Sequence, residues 1–413
     1  MQLSIGLDSK LLTVAPLCVL SVAGVLAGCS TQPDDLVGRL VWLEVADNQV
    51  ENAAKAMDLA TGNTESLWTT GHRTNVSDVA LSPDGRWIAY RVVEHDAVPP
   101  EAIVARRLEP GAEPQIIAET ETDVARLTGF AWSPDGTAIA YGRQQGHLRV
   151  GGEGEARPFE RWEVHIVPAG DAVDSGSSVA PAESLAWAVD GSELGPVALD
   201  VVGWSPAANV VAASLTSADG GASQEVLLID TKSGEIRYRV PSGALQFDLA
   251  GSPDGLHLAL PDADVGADRV RILSLATGEL LDVPGRLGSA AGAPLWSPDG
   301  RFLAWSTGGC RGPWQAPGDD GGVFSGEAAA PCTVGVVSVD DLGSGAAAIA
   351  SAADPIRALA FDPEGKYLLI GEDSSDAQQE RRALTVHRLD GSGSGWPLGR
   401  DLPEMAWFAA WVP

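Results

Sequence analysis

The four residues Ser-Pro-Asp-Gly occur four times in the chain, at 82–85, 133–136, 252–255 and 297–300. Degenerate copies, Ser-Pro-Ala-Ala and Asp-Pro-Glu-Gly, stand at 205–208 and 362–365. Successive motifs are 51, 72, 47, 45 and 65 residues apart. A period of about 40 to 50 residues is typical of propeller blades, and the two longer spacings indicate insertions. The chain is therefore expected to repeat one supersecondary unit.

Short apolar segments flank each motif, as in LSPDGRWIAY and WSPDGRFLAW. Proline presets the first central turn position and glycine supplies the positive φ that follows, so each motif predicts a β-hairpin. A second signature, Thr-Gly or Ser-Gly between apolar segments, recurs in MDLATGNTESLW, LIDTKSGEIRYRV and LSLATGELLDV. Each repeat then holds four strands, A to D, and four-stranded units at this period predict an all-β propeller.

The two ends of the chain predict how the ring closes. GRLVWLEVA at 38–46 resembles a strand B with no strand A before it, and EMAWFAAWVP at 404–413 resembles an orphan strand A. Pairing these N- and C-terminal strands completes one more blade and leaves no open sheet edge. We therefore predict seven four-stranded blades over residues 38–413, with six or eight blades as the alternatives.

The units LSPDGRWIAY, WSPDGTAIAY and WSPDGRFLAW resemble the repeat of TolB-like, WD-repeat-like propellers, which also occurs in prolyl-oligopeptidase-type enzymes. The resemblance covers about residues 38–413. It implies a cell-envelope location and protein binding through a loop-lined face. TolB proteins carry an α/β domain before the propeller, whereas here the first strand is predicted within about ten residues of Cys29. The partner of TolB, the peptidoglycan-associated lipoprotein, is therefore not carried over.

The N-terminus has the features of an export signal. Residues 11–27 form an apolar run that is short for a membrane span and is followed by polar residues. The run ends in Leu-Ala-Gly-Cys at 26–29, which resembles the bacterial lipobox. The resemblance implies a signal peptide at 1–28, cleavage between Gly28 and Cys29, an acylated, membrane-anchoring Cys29, and a short linker at 29–37. Ser30 resembles the outer-membrane sorting pattern of Gram-negative bacteria. The alternative is a generic secretory signal with a chance cysteine.

Two further cysteines, Cys310 and Cys332, form an even pair in a chain expected to be exported. We predict a disulfide that closes the Gly- and Pro-rich insertion at 307–332 and contributes about 3 kcal/mol. Two thiols without a nearby histidine fall short of a zinc site. With 56 acidic against 27 basic residues and a net charge of -29, the chain is not expected to bind nucleic acid.

No sequence pattern indicates catalysis. The chain has no Gly-x-Ser-x-Gly nucleophile elbow and no P-loop, and its six histidines lack ligand spacing. We therefore assign no catalytic, cofactor or metal residue. Calcium binding by the acidic stretches 261–268 and 371–376 is a weaker alternative, because neither has an EF-hand spacing. Three tryptophans precede equivalent turns and are expected to pack between blades: Trp132, Trp204 and Trp296.

Long loops on a rigid scaffold are where binding usually resides. The insertions 143–160 and 307–332 are the candidate binding loops, with Arg143, Arg149 and Arg157 in the first and Trp314 in the second. We predict a membrane-anchored envelope lipoprotein, monomeric and non-catalytic, that binds a protein or a glycan. The alternative is a single-domain propeller enzyme, a lyase or hydrolase acting in the central funnel.

Overall fold

The computed structural model describes most of the chain after residue 35. The described residues are 36–45, 52–70, 74–94, 101–120, 125–146, 161–170, 184–190, 197–217, 225–241, 249–261, 270–283, 294–307, 332–352, 356–373, 381–390, 395–403 and 406–413. They form seven four-stranded antiparallel sheets and, within the described residues, almost no helix. The predicted all-β, seven-bladed propeller is confirmed.

The strands follow one order in every blade. Blade 1 consists of β1 (Arg39–Val45), β2 (Asn52–Asp58), β3 (Thr64–Thr69) and the C-terminal β28 (Ala406–Val412). Blade 2 consists of β4 (Thr74–Leu81), β5 (Trp87–Glu94), β6 (Glu101–Arg107) and β7 (Gln115–Glu119). Blade 3 consists of β8 (Ala125–Trp132), β9 (Ala138–Gln145), β10 (Arg161–Pro168) and β11 (Ser184–Asp190). Blade 4 consists of β12 (Val197–Ser205), β13 (Val210–Ser217), β14 (Glu225–Asp230) and β15 (Ile236–Pro241).

The remaining three blades repeat this arrangement. Blade 5 consists of β16 (Ala250–Gly251), β17 (His257–Pro261), β18 (Val270–Ser274) and β19 (Leu280–Asp282). Blade 6 consists of β20 (Leu295–Trp296), β21 (Phe302–Thr307), β22 (Cys332–Ser338) and β23 (Ala347–Ala352), with a 3₁₀ helix at Val339–Ser344. Blade 7 consists of β24 (Ile356–Phe361), β25 (Tyr367–Asp373), β26 (Arg381–Arg388) and β27 (Trp396–Pro403). The first strands of successive blades contact one another and form the inner wall.

The ring closes through its two terminal strands. Strand β1 pairs with β28 in antiparallel register, from Arg39 opposite Val412 to Leu43 opposite Phe408. The indole Nε1 of Trp411 donates to the carbonyl of Val37 at 2.9 Å. The predicted side-by-side placement of the N- and C-terminal strands is confirmed.

The core consists of seven apolar layers, one between each pair of neighbouring blades. Both faces of a sheet are buried, so alternate residues of a strand belong to different layers. In β9, for example, Ile139 and Tyr141 face blade 2, whereas Ala140 faces blade 4. Trp132 lies in the layer between blades 2 and 3 and donates to the Ala80 carbonyl at 3.3 Å. Trp204 and Trp296 also lie between blades, as predicted.

The Ser-Pro-Asp-Gly turns have one shared geometry. In the first turn, Ser82 Oγ donates to Asp84 Oδ1 at 2.6 Å and accepts from the N–H of Trp87 at 2.9 Å. The same serine-to-aspartate bond occurs in the three other complete motifs. In the degenerate motif, Asp362 replaces serine and accepts from the N–H groups of Lys366 and Tyr367. A hydrogen-bonded side chain therefore fixes each hairpin.

The two ends of the ring differ in their connections. The A–B and C–D turns lie at one end, which we call the turn face. The strand ends that lead into the B–C and D–A connections lie at the other end, which we call the loop face. The first insertion joins β9 to β10, and the second joins β21 to β22. Both leave their strands at the loop face. Strand β1 is a strand B, so the chain enters it from the turn face.

Candidate functional site

The pairing of the inner strand shifts register in blades 1 to 4 and in blade 7, and the shifts in blades 2 to 4 lie at the candidate site. In β4 the pairing with β5 skips Asp78, whose φ is +47°. In β8 the register shifts between Leu127 and Phe130, and in β12 it shifts between Val201 and Gly203. Such bulges bend a strand and re-aim its side chains. In blades 2 to 4 these bulges lie beside charged side chains of the inner wall.

Four charged side chains meet at these bulges and form the inner charge cluster: Asp78, Arg91, Glu101 and Asp200. Arg91 Nε lies 2.6 Å from Asp78 Oδ2, and Arg91 Nη1 lies 3.8 Å from Glu101 Oε2. Arg91 Nη1 also donates to the carbonyl of Leu127 at 2.7 Å, while the Leu127 N–H donates to Glu101 Oε2 at 2.8 Å. Arg91 and Glu101 of blade 2 thus hold the backbone of blade 3.

Asp200 reaches the same place from blade 4. Its Oδ1 accepts from the Gly129 N–H at 2.8 Å, and a Cβ on Gly129 would lie 2.8 Å from the Val201 carbonyl oxygen. Glycine therefore allows the two inner strands to approach closely. Burial raises the pKa of Asp200 and the charge of Asp78 adds to this, whereas the Gly129 hydrogen bond and the charge of Arg91 lower it in part. The cluster links three blades and holds one carboxyl that resists ionisation.

The raised pKa of Asp200 gives a test by substitution. Between the unfolded pKa of 3.8 and the raised folded pKa, the native state binds more protons, so Asp200 weakens stability as pH rises through this interval. Asn retains the oxygen that accepts from Gly129 and carries no charge. We expect Asp200→Asn to match or exceed the wild type in stability at neutral pH and to lose part of this pH dependence, as measured by urea denaturation.

Asp84 provides a control of opposite sign. Burial raises its pKa, but hydrogen bonds from Ser82 and Arg86 lower it more, so the net shift is downward. Its contribution is present above 3.8 and is lost as pH falls through the folded pKa. Asp84→Asn should therefore lose stability at neutral pH and approach the wild type in acid. A stability loss of the same size in Asp200→Asn would contradict the interpretation of Asp200.

A second polar group fixes the stem of the first insertion. Glu163 Oε1 accepts from Arg161 Nε at 2.8 Å, and Glu163 Oε2 accepts from Gln145 Nε2 at 3.1 Å. Gln145 ends β9 and Arg161 begins β10. His165 Nε2 lies 3.0 Å from Glu163 Oε2, and its ring stacks on Tyr141 at 5.3 Å between centroids. One buried carboxylate therefore joins both strand ends from which the insertion leaves.

Among the candidate binding residues, the structure describes Arg143. It lies in β9 rather than in a loop, because β9 continues to Gln145, and its side chain is half-buried. Six other named residues lie outside the described part of the chain: Gly28, Cys29, Arg149, Arg157, Cys310 and Trp314. Cys332 is buried at the start of β22, and its pairing with Cys310 stays a prediction.

Sequence reasoning missed the inner charge cluster and Glu163. One signal for the cluster was available in the repeat. The position nine residues after the motif serine is Arg91 in blade 2, whereas it is Gly142, Ser214 and Ser306 in blades 3, 4 and 6. A charged residue at a position otherwise held by small groups indicates a role outside the repeat. The acidic partners of Arg91 could not be identified from their repeat positions, because the bulges in the strands bring them close to Arg91.

The described histidines do not converge. His165, His257 and His387 lie on β10, β17 and β26, in blades 3, 5 and 7. Within the described ranges, no group of three or more histidine, cysteine or acidic side chains could hold a metal ion. The same ranges hold no helix that is long and apolar enough to cross a membrane.

Comparison with known proteins supports the architecture. The family model for the WD domain, G-beta repeat, matches residues 64–89, which span β3, β4 and the first complete turn motif. No curated protein matches the chain. The structure of a putative 6-phosphogluconolactonase from Bacteroides fragilis is 14% identical, with 93% of this chain and 100% of that chain covered and a TM-score of 0.52.

Two other solved structures are similar at low identity. Oligogalacturonate lyase from Vibrio parahaemolyticus is 12% identical, with 86% of this chain and 99% of that chain covered and a TM-score of 0.50. TolB from Acinetobacter baumannii is 14% identical, with 88% and 79% covered and a TM-score of 0.42. The WD-repeat match and the seven-bladed ring confirm the predicted TolB-like, WD-repeat-like propeller as a fold.

Proposed function

We propose that this seven-bladed, WD-repeat-like β-propeller is a lipid-anchored protein of the bacterial cell envelope that recruits a protein or glycan partner through its loop face. The observation that carries the proposal is the opposite placement of two features. The chain enters β1 from the turn face, whereas both long insertions join their strands at the loop face. An anchor at Cys29 would hold the turn face toward the membrane and leave the loop face directed away from it.

The start of the ring supports this orientation. Leu36 is buried in the layer between blades 7 and 1, and the Val37 carbonyl accepts from Trp411. Strand β1 begins at Arg39, ten residues after Cys29. Ten extended residues span at most about 35 Å, so the ring would stay close to the lipid surface. The turn face would then be shielded by the membrane while the loop face stays accessible.

The loop face also has the construction expected of a binding surface. The turns on the opposite face are short and fixed by Ser-to-Asp hydrogen bonds. The first insertion instead leaves from a stem that Glu163 joins across β9 and β10. Loops of variable length on a rigid scaffold commonly carry recognition. A fixed stem lowers the ordering cost of such a loop on binding.

A structural role of the inner charge cluster favours binding over catalysis. Arg91 is engaged by Asp78, Glu101 and the Leu127 carbonyl, and Asp200 by the Gly129 N–H. The bonds to Leu127 and Gly129 join neighbouring blades, and the ion pairs of Arg91 lie within blade 2. The cluster therefore has a structural role in holding blades 2 to 4 together. The charges therefore need no substrate to account for them.

The second candidate function is a single-domain propeller enzyme. The observation that favours it is the buried pair Glu163 and His165, because an imidazole beside a carboxylate is a combination that general acid–base catalysis uses. Both side chains are only 9% exposed, so a substrate would have to displace part of the layer to reach them. Turnover that is lost in His165→Gln with the fold retained would favour this candidate.

The binding proposal is tested by replacing residues 147–160 with a short Gly-Ser linker, which leaves β9, β10 and the Glu163 stem intact. The matched control replaces residues 374–380, the equivalent connection in blade 7. In crosslinking and pull-down from envelope fractions, we expect a specific partner with the wild type and the control, and its loss with the first replacement. Retention of the partner by both variants would contradict the role of this insertion, and absence of any protein partner would favour a glycan or catalysis.

A further inference from the structure

We infer that the inner charge cluster is a pH-sensitive switch between blades 2, 3 and 4, and that its opening loosens the stem from which the first insertion leaves. The inference rests on the proposed function, because it names the regulation of the candidate binding loop. It follows from the contacts that hold the inner strand of blade 3 from both sides, and from the row of residues that leads from these contacts to the stem.

Strand β8 is held by side chains of both neighbouring blades. From blade 2, Glu101 Oε2 accepts from the N–H of Leu127 at 2.8 Å, and Arg91 Nη1 donates to the carbonyl of the same residue at 2.7 Å. From blade 4, Asp200 Oδ1 accepts from the N–H of Gly129 at 2.8 Å. All three hydrogen bonds engage the backbone of β8 at its bulge. The position of this part of β8 therefore depends on charged groups.

The approach of β8 to β12 is closer than that of the next pair of inner strands. A Cβ on Gly129 would lie 2.8 Å from the carbonyl oxygen of Val201 and 3.0 Å from Asp200 Cβ. A Cβ on Gly251 of β16 would lie 3.6 Å from the carbonyl oxygen of Val202 in β12, which is an ordinary contact distance. Asp200 thus lies in a tight seam, and separation of β8 from β12 would hydrate its carboxyl group.

Asp78 places a second carboxylate next to this seam. Its φ of +47° is one that residues other than glycine seldom adopt. Its Oδ2 is paired with Arg91 Nε at 2.6 Å, and its charge acts on Asp200 from two blades away. Strained residues persist only where the surrounding structure fixes them, and they cluster at functional sites and switch regions. The fold therefore holds two acidic groups close together around one arginine.

The charges around Asp200 determine the direction of the response. Burial and the charge of Asp78 raise its pKa, whereas the bond from Gly129 and the charge of Arg91 lower it in part. The strands packed against β12 also carry Arg126 on β8 and Arg143 on β9, while β13 and β16 carry no charged residue.

The closed seam consequently holds a protonated carboxyl group, and hydration in the open seam returns its pKa toward 3.8. Between these two pKa values the open state binds fewer protons than the closed state. Opening therefore becomes easier as pH rises through this interval and levels off above the folded pKa.

One row of residues connects the seam to the candidate binding loop. Leu127 lies opposite Arg143 in the pairing of β8 with β9, and Arg143 lies opposite Glu163 in the pairing of β9 with β10. Glu163 in turn binds Gln145 and Arg161, the two strand ends from which the insertion leaves. Movement of β8 thus acts on the row that fixes the stem. Partner binding through the insertion should weaken as pH rises through the interval.

The test is hydrogen exchange of the full folded chain, measured by mass spectrometry at several pH values and corrected for the intrinsic chemical rate. As pH rises from 3.8 to the folded pKa of Asp200, protection of β8 and of the β9–β10 stem should fall by up to about tenfold per pH unit, the limit for one linked proton. Strand β22 of blade 6 should not show this fall.

Two substitutions identify the groups responsible. Asp200→Asn keeps an oxygen for the Gly129 N–H and cannot ionise, so it should remove the fall in protection. Asp78→Asn tolerates the positive φ and removes the like charge, so it should move the fall to lower pH. The matched control is Asp84→Asn, which removes a carboxylate of blade 2 on the turn face and should retain the fall. Thermal melts establish that each variant folds.

Several outcomes would overturn the inference. Protection of β8 that does not depend on pH, an equal fall in β22, or a fall that persists in Asp200→Asn would exclude the switch. A fall in β8 without one in the β9–β10 stem would exclude its coupling to the insertion. If protection of β8 is independent of pH while a partner is still lost on replacement of residues 147–160, the switch fails and the proposed function stands.

Discussion

Removal of residues 406–413 is expected to abolish the folded ring rather than to loosen one blade. Strand β28 is the inner strand of blade 1 and pairs with β1 from Arg39 to Glu44. Trp411 is buried between blades 7 and 1, and Val412 between blades 1 and 2. Each of these side chains contributes about 1.5 to 3 kcal/mol by burial, and the loss of a whole ladder of backbone bonds adds to this.

The total approaches the 5 to 15 kcal/mol that is typical of an entire domain, so we expect no cooperative unfolding transition in the truncated chain. Circular dichroism melts and size-exclusion chromatography measure this directly, and the exposed edge of β1 should also promote association. Removal of Pro413 alone is the control, because Pro413 lies after the strand and is exposed. A truncated chain that melts cooperatively near the wild-type temperature would show that the ring does not depend on this closure.

Gly255→Ala is expected to cost about 2 to 6 kcal/mol, which is large for the addition of one methyl group. Gly255 has φ +66° in the turn motif of blade 5, and a non-glycine residue there costs about 1 to 3 kcal/mol. Its Cβ would also meet Pro134 of blade 3 and would lie 2.7 Å from the carbonyl oxygen of Trp204 in blade 4. Overpacking of this kind adds about 1 to 3 kcal/mol.

The chain offers a matched control in Gly111→Ala. Gly111 has φ +70°, but a Cβ there would meet nothing within 4 Å. The two substitutions therefore share the backbone cost and differ in packing between blades. We expect a clearly larger fall in the urea midpoint for Gly255→Ala than for Gly111→Ala. Equal effects would mean that the turns of neighbouring blades do not support one another.

The blade pattern could be predicted because its signals are local. The serine of each motif accepts from the strand that follows, so four residues fix a hairpin whatever the rest of the chain does. In the blade-4 copy, which lacks the motif glycine, the positive φ moves one place along to Asn209. Ring closure was predictable for the same reason, because a strand B without a strand A at one end matched an unpaired strand at the other.

The charged groups could not be predicted in the same way. Asp78 and Asp200 are 122 positions apart in the sequence, and their proximity depends on bulges in β4, β8 and β12. The limits of the first insertion were misjudged because β9 has no glycine or proline between Arg143 and Gln145 to mark its end. Arg143, expected in a loop, is consequently a strand residue.

The most direct test of the central claim places a photo-crosslinking amino acid on each face of the lipidated protein in cells. Position 126 reports on the loop face, and position 86 on the turn face. A binding ring that is anchored through its turn face should give a discrete crosslinked protein partner from position 126 and none from position 86. A partner captured from position 86 alone would contradict the orientation, and the absence of a partner at both positions would contradict recruitment of a protein through the loop face.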